Sequence, residues 1–452
     1  MQKTSASTWT WFLIPSIIGV FLFMIPIKYN DEWVVPIAIL ANWLAGIVTP
    51  FITWVAVTVL LIAAAGSVIM LFAPKKDSSE RGFWENLFGV TPFWTVVRII
   101  GAIFAVMTAF QLGPEAIWSG GTGGLLLDPA DGLVTFLFTI FVFAGLLLPL
   151  LMNFGLLEFF GTMMVKIMRP LFKLPGRSSI DALASWVGDG TIGVLLTDKQ
   201  YREGHYTKKE ASIIATTFSV VSITFSIVII GTVGMSAYFL PFYGTVILTG
   251  LVLALIMPRI YPLSRKKQEY ADGRPFTGEE EKVPAGYNSF THGVENALNK
   301  AYANRDIGKM FKDGLKNVLD MWFGVIPVVM AFGTIALIVA EYTSFFHIIG
   351  KPFEPYLALL QIPEAADAAP LMIVGFADMF LPSILAAGTI TSEVTLFTVA
   401  VVSVVQLIYM SEVGGLILGS KIPVNFFELF VIFLLRTLIA LPIVALIAHM
   451  LF

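Results

Sequence analysis

About nine stretches of this chain are long and apolar enough to cross a lipid bilayer, and a chain that crosses repeatedly has few folds open to it. They run from Trp9 to Ile27, Ile37 to Leu71, Phe93 to Leu112, Leu133 to Leu151, Ile213 to Val233, Phe239 to Met257, Met321 to Ala340, Leu396 to Met410 and Phe426 to Leu446. In lipid every backbone N–H and C=O must be paired inside the protein, which leaves helices or a closed barrel. Continuous apolar runs predict helices, so the expected fold class is an all-α polytopic membrane protein. Composition argues the same way: 57% of residues are hydrophobic and 13% charged, where ordinary globular domains carry about 25% charged residues. Pro50 divides the run from Ile37 to Leu71, which fits one kinked helix or two short ones.

Positive charge orients the runs, because short loops rich in Lys and Arg stay in the cytoplasm. Lys75, Lys76 and Arg81 follow the second run, whereas Gly113 to Asp131 holds no Lys or Arg and is expected outside. Lys166, Arg169, Lys173 and Arg177, then Lys199, Arg202, Lys208 and Lys209, return the middle of the chain to the cytoplasm. Arg259 to Lys316 reads as a cytoplasmic linker, partly helical. The first run is expected to stay as a helix, since no small-x-small cleavage pattern follows it. The expected location is the inner (cytoplasmic) membrane with the N-terminus inside.

A weak internal repeat flanks the linker. In the first copy MRPLFKLP precedes SSIDALASWVGDGTIGVLLT and then TKKEASIIATTFSVVSITFS; in the second, GKPFEPYLALLQIP precedes AADAAPLMIVGFADMFLPSILAAGTI and then TSEVTLFTVAVVSVVQLIYM. This predicts N-terminal helices over 1–131, a first repeat over 132–257, the linker over 258–317 and a second repeat over 318–452. The segments Asp181 to Thr197 and Asp367 to Thr389 are broken by Gly, Pro and Asp and are expected to be re-entrant hairpins. By charge, the first enters from the cytoplasm and the second from outside, so the repeats are inverted. Paired, interrupted segments at matching positions are the sequence pointer to a transporter site near the bilayer midplane.

Within those segments Asp189 and Asp378 are the costly residues, about 2.5–3.5 kcal/mol each on insertion scales unless they face a cavity or a partner. Gly188 and Gly190 beside Asp189 let the backbone turn and free its carbonyls and amides. Such residues also cap tight hairpins without binding anything, and that alternative stays open. Ser185, Thr191 and Ser383 are placed to orient polar groups. Ser212, Thr216, Ser219, Ser222 and Ser226 form a polar stripe on the next helix, loosely repeated by Ser392, Thr395, Ser403 and Gln406. Hydroxyls there serve packing as readily as solute contact, whereas the amide of Gln406 needs several partners, and Asn153 is similar. Glu210 and Glu393 open the helices after each hairpin, where capping competes with a proton or cation role.

Other chemistry finds no support. The chain has no Cys, which removes disulfides, thiolate metal sites and cysteine nucleophiles. Its four histidines, His205, His292, His347 and His449, show no ligand spacing, and no metal or cofactor is expected. Gly188, Gly190 and Gly193 match G-x-G-x-x-G, but no strand precedes them, and Ser119 to Gly124 lacks the Gly-Lys of a P-loop. With no catalytic dyad or basic aromatic stripe, neither an enzyme nor a nucleic-acid binder is predicted.

The run SSIDALASWVGDGTIGVLLTDKQYREGHYTKKEASIIATTFSVVSITF resembles the Gate, or nucleoside-recognition, domain of YjiH-type membrane proteins. The resemblance covers Leu146 to Gly231 and recurs more loosely from Gly324 to Gly415. That domain is similar to the hairpin-bearing core of concentrative nucleoside transporters and to the membrane part of ferrous-iron transporters. It implies transport of a small polar solute, a nucleoside, peptide or organic ion, coupled to an ion gradient, with Na+ or H+ as the ion. A non-transporting sensor or assembly component built on the same domain is the competing expectation. Lipids are the expected surroundings, and whether the chain forms a homo-oligomer is not fixed by its sequence.

Overall fold

The computed structural model describes residues 6–25, 27–29, 32–73, 82–129, 132–185, 190–218, 221, 223–278 and 287–452. α1 (Ala6–Met24) leads through a short antiparallel pair, β1 (Ile27–Tyr29) and β2 (Glu32–Val34), into α2 (Pro36–Phe72). α2 is unbroken over 37 residues, so Ile37 to Leu71 is one helix. Pro50 removes a single backbone bond there, and the apolar turns on both sides carry the helix past it. Pro36 starts it, its fixed φ suiting a first helical turn.

The chain continues through α3 (Phe83–Phe88), α4 (Pro92–Phe110), the short α5 (Glu115–Trp118) and α6 (Gly123–Leu127), and α7 (Leu133–Met152). Then come α8 (Leu156–Phe172), α9 (Ser178–Leu183), α10 (Gly190–Arg202), α11 (Lys208–Thr217), α12 (Ile223–Thr232) and α13 (Phe239–Ile256). The linker holds α14 (Ser289–Ala303), whose Ala297, Leu298 and Ala301 bury against Phe12 of α1. Beyond it lie α15 (Ile307–Gly324), α16 (Ile326–Tyr342), α17 (Phe345–Gly350), α18 (Phe353–Leu359), α19 (Ala365–Val374) and α20 (Leu381–Thr389). The chain closes with α21 (Glu393–Val405), α22 (Val413–Gly419) and α23 (Phe426–Leu451).

Among the described residues seven stretches, including the joined α15 and α16, are helical, long and apolar enough to cross a membrane. Large apolar side chains such as Phe51, Ile69, Leu240 and Leu446 point outward from them, as lipid-facing positions do. The chain is thus a multi-pass helical membrane protein. α2, α4, α7, α15 and α16 pack as one bundle, and α21 packs with α13 and α23 as another. α22 packs on α16 and α10.

Apart from the step at Val325 between α15 and α16, two expected crossings are not continuous helices. Ile213 to Val233 is divided, α11 ending at Thr217 and α12 starting at Ile223; Leu396 to Met410 stops at Val405. Both interruptions fall just after one of the hairpin segments, and their causes lie in the tertiary structure.

Candidate functional site

The second hairpin is two short helices and a turn. α19 and α20 have 10 and 9 residues, about 15 Å each at 1.5 Å per residue, half of a bilayer's apolar thickness of about 30 Å. At the turn between them Asp378 Oδ1 accepts the Phe380 N–H at 2.8 Å, and Oδ2 accepts the Ser411 hydroxyl at 2.7 Å. The turn is also joined to the interrupted helix through its backbone. Met410 N donates to Phe376 O at 2.8 Å and Ser411 N to Ala377 O at 3.0 Å.

These bonds explain how a helix can stop inside the packed bundle. A broken helix leaves its last carbonyls and the following N–H groups open, and in lipid each must find a protein partner. Leu407, at φ 64°, turns the chain into the left-handed region that side chains other than Gly seldom adopt. Its N–H donates to Tyr409 Oη at 3.1 Å, while that hydroxyl lies 2.7 Å from the carbonyls of both Ser403 and Val404.

The remaining carbonyls meet a guanidinium. Arg436 on α23 is 1% exposed. Its Nε donates to Val405 O and Gln406 O at 3.0 Å, and its Nη2 to Val405 O at 2.6 Å. Its Nη1 donates to Thr216 O, in the last turn of α11, at 3.0 Å. One buried cation therefore sits between the C-terminal ends of α11 and α21, where both helix dipoles are negative. The two interruptions share a single cap.

Gln406 lies beside the hairpin turn. Its Nε2 donates to Met372 O at 2.7 Å and Thr437 Oγ1 at 2.9 Å, and its buried Oε1 has no partner among the described residues. A Cβ added at Gly375 would stand 2.2 Å from that oxygen, so only glycine admits the amide here. Gly375→Ala is expected to push Gln406 aside and lower stability by about 1–3 kcal/mol, the usual cost of overpacking. Thermal unfolding of the purified protein measures this, and adding Gln406→Ala should recover part of the loss.

The other expected site residues scatter. Ser383 is buried on α20 and Ser185 follows α9; neither hydroxyl has a partner among the described residues. Gly190 and Thr191 are the buried first residues of α10, whereas Gly188, Asp189, Ser219 and Ser222 lie outside the described residues. Ser403 Oγ donates to Ala400 O at 2.9 Å, back-bonding within its own helix. Ser212 and Thr216 do the same on α11, a habit that competes with straight helix. Asn153 caps α7 and lines a separate cavity of about 540 Å³ with Lys199, Arg202, Asn317, Asp320 and Lys421.

Of the two glutamates, Glu210 forms the expected capping box with Thr207 and also pairs with Arg169. Glu393 is exposed and makes no cap: Ser392 Oγ accepts the Thr395 N–H at 3.4 Å. Glu364 supplies the carboxylate at this end, accepting the Thr391 and Ser392 N–H groups and the Thr391 hydroxyl. With a closer carboxylate already on those amides, Glu393 turns outward.

Arg436, Tyr409 and Ser411 were not legible as site residues from the repeat pattern. Arg436 nevertheless carried the signal that marked Asp189 and Asp378, a lone charge inside an apolar run.

A family model described as Gate, nucleoside recognition, matches residues 134–236. An uncharacterized protein of Alkalihalophilus pseudofirmus is 51% identical over 443 residues, covering 98% of this chain and 94% of that protein. This chain belongs to the same family, one of Gate-domain membrane proteins. Within it, the matched Gate segment spans α7 to α12, whereas the hairpin of Asp378, the break at Gln406 and Arg436 lie beyond the match. The fold of this Gate protein also aligns with CNTnw, a concentrative nucleoside transporter, in an outward-facing state. That alignment has 14% identity and a TM-score of 0.43, over 92% of this chain and 99% of the other.

Proposed function

We propose that this Gate-domain protein is an ion-coupled secondary transporter of a small polar organic solute, with nucleosides the first class to test. The observation that carries the reading is the break at Gln406. Backbone is laid open inside an apolar bundle with its groups paired to a hairpin turn, a tyrosine and a buried arginine, while side-chain acceptors are left over. Non-helical backbone at membrane depth is tolerated where it is buried in protein or lines a cavity, and transporters use such breaks for solute and ion sites. On this reading the two repeats are inverted and the interrupted pairs α11–α12 and α21–α22 supply the two crossings beyond the seven continuous ones. The protein sits in the inner membrane with its N-terminus in the cytoplasm.

Gln406 Oε1 and the hydroxyls of Ser383 and Ser185 offer hydrogen bonds to the solute. Asp378 and its first-repeat counterpart Asp189 hold the coupling ion or a cationic part of the solute, with Gly188, Gly190, Thr191, Ser219 and Ser222 as further candidates for the site. The family's description as nucleoside recognition favours nucleosides as solute. The test is uptake of labelled nucleosides, amino acids, dipeptides and organic anions into proteoliposomes under an imposed H+ or Na+ gradient. Gradient-driven accumulation of one class supports the reading. No flux of any class, with a protein partner that co-purifies stably, would replace it with a sensor or assembly role.

A further inference from the structure

The root of the first hairpin holds a buried carboxyl with no cation hydrogen-bonded to it among the described residues. Asp181, on α9, is 1% exposed and lies outside the seven spans, four residues beyond Arg177 in sequence. Among the described residues it makes no ion pair, and the three side-chain partners found there are neutral. Gln200 Nε2 donates to Oδ1 at 2.6 Å, and Tyr206 Oη donates to Oδ2 at 2.9 Å. Thr197 Oγ1 stands 3.2 Å from Oδ2 and 2.8 Å from Gly193 O.

Counting protons makes the last contact informative. A threonine hydroxyl has one proton, and a carbonyl has none to give. The shorter contact, to Gly193 O, needs the Thr197 proton. The longer Thr197–Asp181 contact is a full hydrogen bond when Oδ2 carries a proton and donates it, and otherwise only shares the Thr197 proton with Gly193 O. Once Asp181 loses that proton, the carboxylate draws the Thr197 hydroxyl toward itself and weakens its bond to Gly193 O. Gly193 lies in the first turn of α10, the helix that leads out of the hairpin.

We propose that Asp181, with Thr197, Gln200 and Tyr206, forms a reversible proton-binding site whose occupancy is passed by the Thr197 hydroxyl to the first turn of α10. The charged groups around it are committed elsewhere. On α8, Glu158 pairs with Arg177 at 3.4 Å and lies 3.9 Å from Lys300, while Arg169 pairs with Glu210 of α11. Farther along α10 and α11, Asp198 pairs with Arg202 at 2.8 Å and Lys208 with Glu269, while Lys209 donates to Ser264 O at 3.1 Å. Burial, with Arg177 and Lys300 nearby, pushes His205 down to about 3, so it stays neutral. Burial outweighs the hydrogen bonds and Arg177 at Asp181 and pushes its carboxyl up to about 7. A cavity of about 270 Å³ is lined by Gly176, Arg177, Gly204 and His205, the last adjacent in sequence to Tyr206.

The existence of the site does not depend on transport; its consequence, that H+ is the coupling ion, rests on that reading. Infrared titration of the purified full-length protein in detergent tests the site directly. We expect a protonated-carboxyl C=O band that disappears with a midpoint near 7 and is missing from Asp181→Asn. In Tyr206→Phe the band should persist with a higher midpoint, since a donor to the carboxylate is lost; this variant carries the test if Asp181→Asn does not fold. The folded chain holds this proton more tightly than the unfolded one, so the stability it lends is full below the ordinary carboxylate value and is lost as pH rises through about 7. Asp181→Asn should therefore flatten the fall of the unfolding temperature over that window. The absence of any titrating band that Asp181→Asn removes, or an unmoved midpoint in Tyr206→Phe, would overturn the site. A band that behaves as expected beside uptake indifferent to a proton gradient keeps the site and removes H+ coupling.

Discussion

Arg436→Leu is expected to destabilise the folded protein by about 3 kcal/mol and to loosen both interrupted helices at once. The guanidinium donates to the carbonyls of Thr216, Val405 and Gln406, and a buried carbonyl left without its donor costs about 1–3 kcal/mol. Part of that loss is returned, because leucine carries no charge to desolvate. Arg436→Lys should fall between leucine and the wild type. Its ammonium keeps the charge, but a point charge on a flexible stem cannot reproduce a planar fork that spans two helix ends. Thermal unfolding ranks the three proteins. Proteolytic susceptibility of the chain between Val405 and Val413 reads the local effect. Unfolding temperatures that coincide for Arg436→Leu and wild type would show that the shared cap is not what holds the breaks.

The second large effect is expected at Asp378. Its carboxylate ties the hairpin turn to Ser411 and to its own backbone. Asparagine keeps an acceptor for one of those donors and removes the charge. On the transport reading Asp378→Asn stays folded and inserted but no longer accumulates solute against a gradient. Asp378→Ala adds the loss of both bonds, each worth about 1.5–3 kcal/mol when one partner is charged. For a solute whose binding needs the turn in place, that is about ten- to a hundredfold in affinity per bond. Uptake into proteoliposomes, read beside the unfolding temperature, separates the two variants. Undiminished accumulation by Asp378→Asn would remove Asp378 as the charge that holds ion or solute.

Much of the frame was legible because membrane insertion is a local property of sequence. A window of about 20 apolar residues identifies a helix wherever its neighbours lie, and seven of the expected runs are such helices. The second hairpin was legible for a related reason: Gly375, Asp378 and Pro382 interrupt an apolar run at a spacing too short for a full crossing. The capping box of Thr207 and Glu210 needs only residues three apart.

What escaped local reading was where the long polar-striped runs would break. Val405 ends its helix within TVAVVSVVQLIYM, where no Gly or Pro stands. The break exists because Arg436, 31 residues on from Val405, and the hairpin turn near Phe376 supply partners for the opened backbone. The carboxylate at the start of α21 escaped local reading for a similar reason, since Glu364 reaches that helix end from 28 residues away. Asp181 showed itself only once Thr197, Gln200 and Tyr206 were folded around it.

The sequence by itself therefore determined that this chain is a helical membrane protein with costly aspartates in two short, glycine-broken segments, because apolar length and isolated charge are counted along the chain. Only the tertiary structure decided that two helices stop short and share one buried guanidinium. A backbone carbonyl can leave its helix in lipid only when a donor from elsewhere in the fold is already in place.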